Sequence, residues 1–219
     1  MIRLSSCIIY ILFLVSCADE RPTPKESRVE TLPYYSEATF TPHWFSSESE
    51  ELKGFHKIPA FSFTNQEGET VTEKTFEEKI YVVDFFFTSC PGICPKMTEN
   101  MGLVQKAFLE DDEVLILSHS VTPIADSVSA LKRYAVEKEV DSKKWHLVTG
   151  DRKEIYDLGR NHYFVEEDLG LEKEPEDFLH TENFILVDKN RHIRGIYNGL
   201  NKSSVYQLVA DVITLKKEG

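Results

Sequence analysis

The sequence predicts an α/β fold with a central mixed sheet, a hairpin extension ahead of it and helices on both faces. Three observations carry that prediction. The runs "IYVVDFFF" at 80–87 and "EVLILS" at 113–118 are nearly continuous stretches of β-forming apolar residues, as in strands buried on both faces. Between and after them, apolar residues recur at spacings of three and four, beginning with Met97, Met101, Val104 and Phe108. From about residue 54 onward the patterns succeed one another as β-β-β-α-β-α-β-α-β-β-α. Such alternation implies parallel crossovers with helices over both faces of a sheet.

The elements follow in order. Residues 1–16 stand apart: Arg3 supplies a positive charge and Cys7 to Val15 form an apolar run. That run is too short for a bilayer, which takes roughly 20 apolar residues, and has the size of a signal-peptide core. Leu14-Val15-Ser16-Cys17 resembles the box of a bacterial lipoprotein, in which the cysteine is lipidated and becomes the new N-terminus; the competing reading is an ordinary signal peptide in which Cys17 is incidental. Lipidation at Cys17 places the protein in the cell envelope, tethered on the exported (periplasmic) face of a bacterial membrane. Residues 17–53 are polar, proline-containing and aperiodic, the composition of a tether. Their aromatic cluster, Tyr34, Tyr35, Phe40, Trp44 and Phe45, points to partial packing on the domain that occupies 54–219.

Within that domain, "IPAFSFTNQEGETVTEKTF" reads as two short strands around a turn at Asn65–Gly68. After the 80–87 strand comes a helix over 95–109, then the 113–118 strand. "DSVSALKRYAVEKEV" reads as a helix with Asp126 as its N-cap and Val128, Leu131 and Ala135 on one face. "WHLVTG" is a strand, and Asp151 caps the next helix. "NFILVD" and "HIRGIYNG" are strands joined by a turn at Asp188–Asn190, and a last helix covers about 203–216. The closing hairpin and terminal helix match the ending of a thioredoxin-like fold.

The formal charge is −12, with 25 basic and 37 acidic residues, and loss of Arg3 with the leader makes it −13. That balance argues against nucleic acid or an anionic membrane surface as partner, because phosphate contacts need clustered Lys and Arg. Once Cys7 has left with the leader and Cys17 is lipidated, Cys90 and Cys94 remain as thiols. In an exported, oxidising compartment this favours a dedicated redox or metal role with a thiol reductant as partner.

Cys90 and Cys94, in "TSCPGICPKM", stand four apart where the first long strand meets its helix, the usual ligand position of an open α/β sheet. Amide groups at the helix start stabilise a thiolate, Pro91 and Pro95 stiffen the loop, and Gly92 permits unusual backbone angles. Such a pair can exchange disulfides, hold a soft metal, or close a passive disulfide. The last removes little unfolded-state entropy for so short a loop. A metal needs a third ligand, and Cu(I) accepts two thiolates with an imidazole. Of the seven histidines, His43 and His56 lie in or near the tether, His146 is within a strand, His162 follows a helix and His192 opens the last hairpin. His119 closes the "VLILSH" strand at the same sheet end as the cysteines, and His180 precedes the "NFILVD" strand. On the residues alone, His180 leads His119 only slightly.

"VVDFFFTSCPGICPKMT", "LKRYA", "WHLVTG" and "LHTENFILVDKNRHIRGIYNG" together resemble the Sco (SenC/PrrC-type) family, copper-handling proteins linked to assembly of the copper A centre of cytochrome c oxidase. The resemblance covers about residues 55–215. It implies a thioredoxin-like fold, copper as Cu(I) or Cu(II) held by Cys90, Cys94 and His180, and the oxidase copper A subunit or its assembly factors as partners. In the segment where thioredoxins carry a cis-proline, this chain reads His180-Thr181-Glu182-Asn183. It departs from the family at "SVTPIADS", where the usual S-V-D-P-x-x-D-T has lost its first aspartate to Thr122 and kept the second as Asp126. His119, Asp126 and Asp84, a carboxylate inside the strand before the motif, are accessory candidates. The reading from another class is a thiol–disulfide oxidoreductase in which Cys90 attacks, Cys94 resolves and His180 could be dispensable; a peroxidase is a weaker third reading, because it needs a peroxide-reacting thiol with polar helpers that the sequence does not place.

Overall fold

The computed structural model describes residues 26–166 and 178–218. Among the described residues one sheet of seven strands runs through the protein: β1 (Ser62–Asn65), β2 (Thr70–Thr72), β3 (Ile80–Phe86), β4 (Val114–Ser120), β5 (Trp145–Thr149), β6 (Asn183–Val187) and β7 (Ile193–Asn198). Their spatial order is β2-β1-β5-β4-β3-β6-β7. The β3–β4 and β4–β5 pairs are parallel and all others antiparallel, so the sheet is mixed. The β1–β2 hairpin extends it along the edge of β5, its turn closed by Gly68 at φ 83°.

The helices are α1 (Cys94–Ala107), α2 (Val128–Glu137), α3 (Arg152–Asp157) and α4 (Lys202–Glu218). Helices α1 and α2 make the two parallel crossovers, as a parallel pair requires. The alternation of β3 divides the core. Ile80, Val82 and Phe86 pack with Met97 and Met101 of α1, Leu131 of α2, and Leu208 and Val212 of α4. Tyr81, Val83 and Phe85 pack on the other face with Ile155 of α3, Phe61, Phe63, Tyr163 and Leu179. All seven residues of β3 are buried, as its unbroken apolar run requires. No helix among the described residues is long and apolar enough to cross a membrane.

Chain order on the sheet edge extends upstream of residue 54. Tyr34 bridges to His43, and Tyr35 bridges to Ile193 at the start of β7. Arg194, 4% exposed, donates to the carbonyls of Leu32 (2.7 Å) and Pro33 (3.1 Å), and pairs with Asp188 (3.3 Å) and Glu218 (2.5 Å). Its guanidinium lies 3.9 Å from the Tyr34 ring centroid. The strap satisfies a buried cation and covers the outer strand of the sheet, which would otherwise offer free backbone groups.

Two local expectations are corrected. The N-cap of α2 is Ser127, whose Oγ accepts from the Ala130 N–H at 3.4 Å, because the Asp126 carboxylate is turned into the protein. Gly92 does not use a left-handed conformation; among the described glycines only Gly68 does. Asp151 does cap α3, accepting from the Glu154 N–H at 3.0 Å.

His119 is also displaced from its expected role. It lies in β4 beside Phe85 of β3 and Val148 of β5, and is fully buried on the face away from α1. Its ring stacks on Phe85 at 4.9 Å between centroids and meets Phe63 edge-on at 5.1 Å, with Tyr163 at 5.9 Å. Strand alternation points it to the face opposite the cysteine-bearing helix, so it is not a third ligand. Neither ring nitrogen has a hydrogen-bond partner, and burial pushes the pKa from 6.5 down to about 3. Above pH 6.5 the imidazole is neutral folded and unfolded. Below it the unfolded chain binds a proton that the folded chain refuses, so stability falls on acidification by up to about 1.4 kcal/mol per pH unit. His119→Phe is therefore expected to reduce the stability lost between pH 7 and pH 5 by about 2 kcal/mol, measured by urea unfolding at the two pH values. An unchanged pH slope would refute the neutral, solvent-free imidazole.

Candidate thiol and metal site

The site hangs from the C-terminal end of β3. Phe87, Thr88 and Ser89 lead to Cys90, whose N–H donates to the Phe87 carbonyl at 3.3 Å. The chain then turns through Pro91, Gly92 and Ile93 into α1, where Cys94 is the first residue and Pro95 follows without an N–H to satisfy. The thiols lie side by side, both free: Cys90 half-buried, Cys94 5% exposed and packed into the α1 core.

Their environments separate them. Burial opposes a charge on Cys90, but hydrogen bonds from the Cys94 thiol and from the N–H groups of Cys94, Gly92 and Ile93 outweigh it, and the thiol sits below its ordinary value. At Cys94, burial first, then the thiol's donation to Cys90 and the charges of Cys90 and Asp84, push the pKa up to about 12. One helix entrance thus gives two neighbouring thiols shifts of opposite sign, the more exposed one downward and the buried one upward.

Asp84 lies beneath this pair, on the β3 face that carries Val82 and Phe86, and is 1% exposed. Ser118 Oγ donates to its carboxylate and itself accepts from the Trp145 indole N–H at 2.7 Å. Burial raises the Asp84 pKa to about 7. Its depth excludes it as a metal ligand; its reach to the site is electrostatic, through Cys94.

Asp126 takes a different place. Its carboxylate accepts from the Thr88 N–H (3.2 Å) and Oγ1 (2.5 Å), from Ser120 Oγ (2.6 Å) and from Thr122 Oγ1 (3.0 Å). It is 1% exposed and its lone pairs are committed, so it is not free to bind a metal. Thr122, which stands where the resembling family has aspartate, is one of its donors.

His180 is exposed on the segment leading into β6, three residues before Asn183. Phe178 packs edge-on against Phe87 at 5.4 Å, Leu179 is buried, and Thr181 Oγ1 donates to the Val165 carbonyl at 2.6 Å. Gly159 makes room here, since a Cβ on it would come within 3.2 Å of Leu179 and 3.0 Å of Phe85. The His180 N–H donates to Glu166 Oε1 at 3.3 Å, while Glu166 Oε2 accepts from Arg160 at 3.0 Å. The loop therefore adjoins the cysteine loop with its imidazole outward. Among the described residues no three His, Cys, Asp or Glu side chains stand close enough together to hold a metal. The dithiol is assembled, and the imidazole is on the adjacent loop rather than on the sulfurs. Cys17 lies outside the described residues.

Sequence reasoning overlooked Thr88, Ser120 and the Phe87–Phe178 contact. Hydroxyls at 120 and 122, six and four residues before an aspartate, were the available signal.

A family model described as SCO1/SenC matches residues 49–215. The crystal structure of a SCO1/SenC family lipoprotein from Bacillus anthracis is 30% identical, with a TM-score of 0.64, over 74% of this chain and 95% of that one. BsSco, described with a disulfide switch and as a member of the Sco family of cytochrome c oxidase assembly proteins, is 28% identical with a TM-score of 0.61, over 73% and 93%. Bradyrhizobium japonicum ScoI, solved with copper bound, is 22% identical with a TM-score of 0.56, over 74% and 99%, and shares the fold. The matched span contains the dithiol, the His180 loop and the sheet that carries both, and this chain belongs to the SCO1/SenC family.

Proposed function

We propose that the protein is a copper-binding factor in cytochrome c oxidase assembly, which holds copper through Cys90, Cys94 and His180 and passes it to the copper A subunit or its assembly factors. The observation that carries this reading is the pairing of a low-pKa thiol with a second thiol at a helix entrance, next to a loop that presents an exposed imidazole. Two thiolates and an imidazole suit copper better than a hard cation, which prefers oxygen ligands. Metal binding would draw off the proton that Cys94 holds, so loading requires the reduced pair and a thiol reductant. The leader, with Cys17 at its box, supports a lipid-anchored location on the exported face of a membrane, as does the likeness to a lipoprotein of the family.

His180→Ala is expected to lower copper affinity at least about tenfold, about 1.4 kcal/mol. The melting temperature should hardly move, because the side chain is exposed and the hydrogen bond to Glu166 is made by the backbone. Copper titration of the reduced protein, with spectroscopy reporting sulfur and nitrogen ligation, decides it. Wild-type affinity in the variant would remove His180 from the ligand set.

The contrast between the two thiols also favours a second reading, thiol–disulfide exchange. The Cys90 thiolate attacks a partner's disulfide, one partner thiolate leaves, and Cys94 then gives up its proton and displaces the second, so two electrons pass to the partner and Cys90–Cys94 becomes the disulfide. Alkylation of the reduced protein with iodoacetamide between pH 5 and 10, mapped by mass spectrometry, is expected to label Cys90 first. Its rate should rise with pH through a midpoint below that of an ordinary thiol, with Cys94 protected throughout. Equal labelling of both would overturn the division of roles.

A further inference from the structure

Cys90 is only half-buried, and its own backbone makes a single hydrogen bond back to Phe87. Its loop is tied down a second time at Thr88, two residues earlier. Both donors of Thr88, N–H and Oγ1, end on one buried carboxylate, that of Asp126. The remaining acceptor capacity of that carboxylate is filled from the other side by Ser120, fully buried at the end of β4, and by Thr122. Ser120 Oγ is itself oriented by accepting the Thr122 N–H at 3.2 Å. Charge-assisted hydrogen bonds in a desolvated setting are the strong ones, and every donor removed would leave a buried acceptor unpaired.

We propose that Asp126 is a positioning residue for the dithiol. Acting through Thr88, it fixes Cys90 relative to the N–H groups at the head of α1, and it makes the cysteine loop and the 120–127 loop one rigid unit. The tip of that second loop, Ile124, is 95% exposed, so a contact made there is transmitted to Cys90 through a chain of hydrogen bonds rather than through solvent. Thr122 belongs to the same device. With a threonine at this position Asp126 receives a fourth donor; an aspartate, as in the resembling family, would set a second carboxylate against it. The inference rests on the proposed use of Cys90 and Cys94, but not on copper being what they bind.

The test uses the full-length protein and two readouts, the thiol–disulfide equilibrium of Cys90–Cys94 with glutathione and the visible spectrum of the copper-loaded form. Thr88→Val removes one hydroxyl and keeps the shape. It is expected to shift the equilibrium tenfold or more toward the disulfide, about 30 mV for a two-electron couple, because the reduced form loses the order that stabilises the Cys90 thiolate. Asp126→Asn and Thr122→Asp should shift it in the same direction, and Thr88→Ser, which keeps both donors, should restore the wild-type value. In copper-loaded protein the sulfur-to-copper bands should move in Thr88→Val and not in Thr88→Ser. A Thr88→Val protein that melts like wild type and shows an unchanged equilibrium and spectrum overturns the proposal. Should Asp126→Asn fail to fold, Thr88→Val and Thr88→Ser decide alone. The glutathione readout involves no metal, so a chain that binds no copper would sink the copper reading and leave this one open to its own result.

Discussion

Burial of β3 on both faces is the constraint from which the rest of the structure follows. Its seven residues divide between two cores, so the strand can neither slip in register nor tilt without moving apolar side chains into the wrong layer. Partners on both sides hold it, β4 in parallel and β6 antiparallel. A strand held this firmly makes its C-terminal end a fixed point, and the candidate site is arranged around that point. Cys90 and Cys94 come directly from it. The 120–127 loop leaves the neighbouring β4, and the His180 segment enters the neighbouring β6.

The same burial creates the electrostatic contrast on which the chemistry depends. Cys94 faces the core of α1, with Asp84 beneath it, and its thiol is pushed up; Cys90, a turn away, meets amide N–H groups that hold its thiol below its ordinary value. Asp84 survives in a dry layer because Ser118 donates to it and Trp145 orients Ser118 in turn. His119, one residue along β4 from Ser118, meets the opposite layer and only aromatic rings, so it stays neutral. Adjacent polar residues on one strand thus have opposite fates because successive side chains point to opposite faces.

Much of this could be read from the chain. The apolar runs located β3 and β4, the spacing of Met97, Met101 and Val104 located α1, the "NQEG" stretch located the hairpin turn, and Asp151 capped its helix as its position suggested. The cysteine pair was evident from residue type and spacing. Three features were not legible, each for a physical reason. Asp126 has the sequence of a helix cap, but its carboxylate gains more from four donors in the interior than from one amide at a helix end. His119 reaches the correct end of the sheet and faces the wrong side of it. The 32–45 segment has the composition of a tether, yet a buried arginine far along the chain needs its carbonyls and its tyrosine ring.

By itself the sequence determined the order of elements, the layer each apolar residue would seek and the presence of two thiols at a helix entrance, because these depend on periodicity and local backbone chemistry. Only the tertiary structure decided how differently the two thiols are buried, that His119 faces away from them, and that Asp126 accepts from the cysteine loop rather than from its own helix. Those outcomes, like the seating of the 32–45 segment, depend on desolvation and on partners distant in the chain, 38 residues for Thr88 and Asp126 and 162 for Leu32 and Arg194, which no local pattern encodes.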